Sequence, residues 1–224
     1  MYFKILVPLD GSPLAEMALP VARAVAWRCN AELEILMVVP NGDPAAAGEA
    51  QNGLEPYLSA AAEQAEIGEG VIRWHVLNGD APGEIVNFAR SQGFSLIIMA
   101  THGRTGFVRG LLGSVTDRVI LTSPVPVLVV NGGAAPDADF DDAEFDNIVV
   151  PLDGSELAES SLEHGAVLAK AFGANLVLLR VANPASNRIE RSLAENYLIG
   201  IMSWLKVERI TVTIALRTAI RANW

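Results

Sequence analysis

The chain is poor in the residues that several common chemistries need. Its 224 residues include one cysteine, Cys29, so no disulfide can form within it. The expected compartment is therefore a reducing one, by default the cytoplasm. Three histidines, His75, His102 and His164, lie too far apart in sequence to read as a zinc site. The three lysines, Lys4, Lys170 and Lys206, do not follow a glycine, so there is no G-x-x-x-x-G-K-[ST] phosphate loop. The turn after the first strand, Pro8-Leu9-Asp10-Gly11-Ser12, also lacks the G-x-G-x-x-G of ordinary dinucleotide enzymes. A formal charge of −10 argues against nucleic-acid binding through a broad basic surface. Apolar runs near Leu96–Ala100 and Val125–Val130 are too short to span a membrane. The start, MYFKILVPLDGS, enters a strand at once and does not read as a leader. No nucleophile elbow G-x-S-x-G is present, and no catalytic residue or protein-held metal is assigned.

Half the residues are hydrophobic, enough to bury a substantial core. They are arranged as a repeat. Lys4 to Pro40 aligns without a gap onto Asn147 to Asn183, an offset of 143, with VPLDGSPLAEMAL facing VPLDGSELAESSL. The expected organisation is a complete module over residues 1–131, an acidic linker over 132–146 with five Asp and one Glu, and a partial second copy over 147–224. The second copy stops before the counterparts of the last two strands and the glycine loop, which is expected to leave its first strand on an open edge.

Within module one, apolar runs at Ile5–Val7, Glu34–Val39, Val71–Leu77, Leu96–Met99 and Val127–Val130 read as strands, the first and the last two as buried ones. Helical patterns separate them. Ser12 suits an N-cap with Pro13 behind it, and Pro20 is expected to kink or restart the first helix. Residues 78–83 read as a turn, 84–92 as a helix, and Val115, Val119 and Ile120 as one side of a later helix. In module two, helices are expected to about Phe172 and over Ile189–Lys206, and a strand over Arg209–Leu216. Alternation of strand and helix implies an α/β fold: a doubly wound, five-stranded parallel sheet of order 3-2-1-4-5, Rossmann-like, followed by a partial second copy. In that order the crevice opens between strands 1 and 4, which brings the ends Pro8-Leu9-Asp10 and Met99-Ala100 together.

The most informative stretch is Leu96 to Val130, which runs strand, glycine-rich loop, helix, turn, strand. Phosphate oxygens need converging N–H donors, and glycine leaves backbone amides open to them. A helix N-terminus adds free amides and partial positive charge. Ser114 and Thr116 offer hydroxyls, although Thr116 or Asp117 can equally serve as caps in an ordinary βα loop.

Gly103, nine residues, Gly113 and Ser114 resemble the G-x-x-G-x9-G-[ST] loop of ATP-binding universal stress proteins, with Ala100 at the leading glycine. The resemblance covers 1–131 and, in part, 146–217. It implies ATP as ligand, with Mg²⁺ or Mn²⁺ on the phosphates. It implies a hydrogen bond between Asp10, as acceptor, and the adenosine part, and a backbone contact from Val38 to adenine. It implies phosphate and ribose contacts from Gly103, Gly113, Ser114, Val115 and Thr116; on their own chemistry Arg104 and Arg109 can neutralise phosphate charge or simply be solvated, and His102 can bind a phosphate or pack locally. The implied function is a nucleotide-dependent switch in stress adaptation with little or no hydrolysis, acting on a protein partner that the sequence does not name. It also implies a homodimer through Val127–Val130. A slow ATPase and an interaction module without nucleotide stand as alternatives. An adenylate-forming enzyme fits less well, because PLDGSP is a poor pyrophosphate loop.

Overall fold

The computed structural model describes residues 2–40, 54–63, 72–101, 113–131, 144–206 and 209–218. The chain divides into two units, Met1–Ala143 and Glu144–Trp224.

In the first unit the strands are β1 (Lys4–Leu9), β2 (Glu32–Val39), β3 (Arg73–Asn78), β4 (Leu96–Thr101) and β5 (Val127–Asn131). The helices are α1 (Pro13–Glu16), α2 (Ala18–Cys29), α3 (54–63), α4 (Ala81–Ser91) and α5 (Ser114–Thr122). Every strand pair is parallel and the sheet order is β3-β2-β1-β4-β5, as expected. The apolar runs form strands because both faces of the sheet bury them: Ile5, Leu6, Val7, Ile35, Leu36, Ile97 and Ile98 are fully buried. One face packs Leu6 and Leu36 against Ile85 and Ala89 of α4 and Val119 of α5.

The second unit holds β6 (Asn147–Pro151), α6 (Glu156–Glu159), α7 (Ser161–Phe172), β7 (Asn175–Ala182), α8 (Arg188–Leu205) and β8 (Val212–Thr218). Its three strands are parallel in the order β6-β7-β8. Val150, Leu176 and Leu178 bury against Leu162 and Ala169 of α7 and Leu198 and Leu205 of α8. Val149, the repeat equivalent of the fully buried Leu6, is 54% exposed on the edge strand.

Several boundaries differ from the sequence reading, for identifiable reasons. Residues 81–83 open α4 instead of ending a turn, because Pro82 sits in the first helical turn, where a missing N–H costs nothing. The strand expected at Arg209 begins at Val212, since Arg209 adopts a left-handed φ of 60°. β5 is half-buried rather than buried, because it is the outermost strand. Ile120 points outward, and Thr116 and Val119 form the buried side of α5.

The break in the first helix falls at Met17, and Pro20 is the third residue of α2. The second unit breaks at the equivalent Ser160, yet position 163 is Glu. Proline therefore does not cause the interruption, which belongs to the fold. Pro20 is tolerated because first-turn amides have no helical acceptor.

Candidate functional site

The carboxyl ends of β1 and β4 diverge where the strand order reverses, and a cavity of about 270 Å³ opens there. Pro8, Leu9 and Asp10 form its floor from β1, with Met99 and Ala100 opposite from β4. Leu36 and Val38, two residues apart and so on one face of β2, make an apolar wall. Ala81 and Ile85 bring in the first turn of α4, and Gly113, Ser114, Val115 and Thr116 the first turn of α5. Ser12, Leu14 and Ala15 close the side toward α1.

The turn after β1 is held by its own side chains. Asp10 Oδ1 accepts the Ser12 amide at 2.9 Å, and Ser12 Oγ accepts the Ala15 amide at 3.1 Å as the N-cap of α1. Gly11 takes a φ of +83°, which explains glycine between them. This uses one oxygen of Asp10.

The α5 end is built differently. Its N-cap is Gly113, so among the described residues no side chain caps the first amides. Those amides face whatever occupies the cavity, and they carry the positive end of the helix dipole. Thr116 is buried and donates its hydroxyl to the Ala100 carbonyl at 3.3 Å, pinning the helix to the end of β4. Ser114 is exposed. The Ala100 carbonyl is thus occupied by Thr116, a backbone contact that any residue at this position supplies.

One ion pair joins the two helix starts. Arg118 donates Nη1 to Asp80 Oδ1 at 3.0 Å and Nη2 to Oδ2 at 2.8 Å. Asp80 is the N-cap residue of α4; the Gly83 amide lies near its carboxylate, although the geometry falls short of a capping hydrogen bond. The Arg118 hydrogen bonds hold its carboxyl below the usual range, and the Gly83 amide helps lower it.

A second charged cluster lies on the same sheet face at the opposite, amino end of the strands. Glu34 is 2% exposed. Its Oε1 accepts Arg73 Nε at 2.9 Å and Nη2 at 2.7 Å; its Oε2 pairs with His75 Nε2 at 2.7 Å, and Lys4 Nζ stands 3.3 Å away. Burial pushes the Glu34 carboxyl up, but the hydrogen bonds from Arg73 and His75 and the Lys4 charge outweigh it and hold it low. The His75 ring packs on Phe88 of α4, and Lys4 lies over the Phe94 ring.

The second unit repeats the first turn: Asp153 Oδ1 accepts the Ser155 amide at 2.9 Å, and Ser155 Oγ accepts the Ala158 amide at 3.1 Å. Here Arg180 lies against the turn, 3.3 Å from where a Cβ on Gly154 would sit, and over the Tyr197 ring. Tyr197 in turn donates to Glu159 at 2.8 Å.

Of the residues singled out from sequence, Pro8, Leu9, Asp10, Val38, Met99, Ala100, Gly113, Ser114, Val115 and Thr116 line one cavity. His102, Gly103, Arg104 and Arg109 lie outside the described residues, as does linker segment 132–143. Sequence reasoning missed Leu36, which the period-2 rule places beside Val38, and Ala81 and Ile85, because their helix start reads as a turn. It also missed Glu34, hidden as one charge in an apolar strand. Among the described residues no group of three His, Cys, Asp or Glu is placed to hold a metal ion. No helix there is long and apolar enough to cross a membrane.

A sequence model of the universal stress protein family matches residues 1–131 and 144–199. Universal stress protein MJ0531 of Methanocaldococcus jannaschii is 37% identical over 145 residues, spanning 58% of this chain and 82% of the relative. Universal stress protein YxiE of Bacillus subtilis is 32% identical over 148 residues, spanning 58% and 99%. The crystal structure of a universal stress protein from Archaeoglobus fulgidus superposes with a TM-score of 0.77 at 22% identity, covering 97% of this chain and 79% of that one, and so shares its fold.

Proposed function

The chain belongs to the universal stress protein family, and from that premise we propose that its first unit binds ATP in the β1–β4 cavity. The carrying observation is one cavity with an apolar wall at one end and an uncapped, glycine-led helix at the other. An adenine ring suits Leu36, Ile85 and Met99, with the Val38 backbone at its edge. Asp10 takes a hydrogen bond from the sugar with its remaining oxygen. Pro8, Leu9 and Ala100 present backbone. The phosphates lie on the α5 amides, with Gly113, Ser114, Val115 and Thr116 around them and His102, Gly103 and Arg104 as further contacts. Thr116, its proton given to Ala100, serves by holding the helix, which leaves Ser114 as the hydroxyl donor.

Mg²⁺ or Mn²⁺ would ride on the phosphates and offset their charge. The reading is a nucleotide-dependent switch in stress adaptation with little or no turnover, signalling to a protein partner in the cytoplasm. Pairing of two copies through Val127–Val130 fits the half-buried outer strand. A monomeric mass at micromolar concentration in light scattering overturns that part.

The test is a Mg-ATP titration of the wild type and Gly113→Asp, with phosphate release followed in the same samples. Aspartate puts a side chain and a negative charge where the phosphates sit, so affinity falls by about a hundredfold or more. Binding with steady phosphate release supports a slow ATPase instead. Absence of binding by either protein leaves an interaction module without nucleotide.

A further inference from the structure

The Asp80–Arg118 pair bridges the two helix starts that wall the cavity, and its surroundings make it more than a surface ornament. Asp80 immediately precedes Ala81, and Arg118 stands one helical turn after Ser114; both Ala81 and Ser114 line the cavity. Residues four apart on a helix share a face, so Arg118 rises from the same side of α5 as Ser114; Arg118 and Asp80 themselves stand just outside the residues that line the cavity. Both guanidinium hydrogen bonds are committed to Asp80, yet the side chains remain 58% and 59% exposed. A pair so wetted contributes little to stability and exchanges easily. A polyphosphate offers the same bidentate geometry with several negative charges instead of one.

We propose that Arg118 is the phosphate-chain selector of this cavity: Asp80 holds it when the cavity is empty and surrenders it to a bound polyphosphate. This rests on the nucleotide reading and deepens it, because it names which part of the ligand is recognised and by what. Arg118 then adds nothing for an adenosine without phosphates and most for a di- or triphosphate. Asp80 is a competitor for the cation, not a support for the ligand. Its removal acts in the direction opposite to the removal of Arg118.

The experiment is calorimetric titration of the full chain with adenosine, AMP, ADP and Mg-ATP, for wild type, Arg118→Gln and Asp80→Asn. Arg118→Gln weakens ADP and ATP about tenfold or more, the loss expected for hydrogen bonds to a charged group, and leaves adenosine within about twofold. Asp80→Asn tightens ATP by up to about fivefold, the worth of an exposed pair, and its gain shrinks from ATP to AMP. Circular dichroism melts confirm that each variant folds. If Asp80→Asn weakens ATP as Arg118→Gln does, the pair merely props the helices and the inference is wrong. If both variants bind all four ligands like the wild type, the inference fails while the nucleotide reading stands. If the wild type binds none of them, the nucleotide reading fails and takes the inference with it.

Discussion

Removing the charge of Glu34 tests the first unit at its most concentrated point of electrostatics. Glu34→Gln keeps the side chain's shape and one acceptor but surrenders the carboxylate that Arg73, His75 and Lys4 surround. Hydrogen bonds to a charged group contribute about 1.5–3 kcal/mol each when dry. The Arg73 side chain is 61% exposed and also bonds Glu32 at 2.7 Å, so solvent screening leaves its share small. The contacts to His75 and Lys4 sit against Phe88 and Phe94 and keep more of their worth. The expected net loss is about 2 kcal/mol, or roughly 5–10 °C in the melting of this unit. Glu34→Leu leaves the Arg73 and Lys4 cations and the His75 ring without their shared acceptor and costs about 3 kcal/mol, toward the lower end for a broken buried pair because the cations reach water. The carboxyl ionises below its ordinary value of 4.5 when folded, so its stabilisation is complete above about pH 4.5 and drains away as the pH falls through the folded value. Hydrogen exchange of the β1–β3 amides from pH 3 to 7 reads this unit separately from the second. Wild-type protection collapses on the acid side, and the Glu34→Gln variant starts lower and loses less. A loss under about 0.5 kcal/mol at neutral pH, or an acid limb identical in both proteins, would refute the reasoning.

The second unit is tested by Gly165→Ala in α7. A Cβ there would stand 2.6 Å from Val150 Cγ2 and 3.2 Å from Leu176 Cδ1, both in the strand core. Overpacking of about 1–3 kcal/mol outweighs the helix-propensity gain of under about 1 kcal/mol; the measurement is β6–β7 exchange protection, and a rise in protection contradicts it. Cys29 is buried at the end of α2, where burial pushes its thiol up. A disulfide reagent should label it slowly in the native chain and at once in denaturant; rapid native labelling means the α2 end opens far more than the packing shows.

Strand order and most of the cavity were legible because each depends on short-range signals. Ile5–Val7 and Leu96–Met99 announce buried parallel strands, and Asp10-Gly11-Ser12 a βα turn, without knowledge of their neighbours. Once the order is known, Pro8–Asp10 and Met99–Ala100 must meet. What escaped depends on pairs far apart in sequence. Glu34 meets Arg73 only through the β2–β3 register, and Asp80 meets Arg118 only once α4 and α5 lie side by side. Neither residue stands out in a linear scan. Pro82 misled in a different way: proline ends a helix interior but begins a helix equally well, and only the position relative to Asp80 distinguishes the two.

The Glu34 cluster and the cavity occupy opposite ends of the same strands, with Leu36 between them on β2. The two ends can therefore drift independently over evolutionary time. Residues at the carboxyl ends can be exchanged for a new cargo while the charged rivet at the amino ends keeps the strands in register. A library that randomises positions 38, 81 and 114 and leaves the core positions 36 and 85 and the cluster at 4, 34, 73 and 75 alone should yield mostly folded proteins with altered ligand choice, so the sheet offers an engineer a tolerant end and an intolerant one.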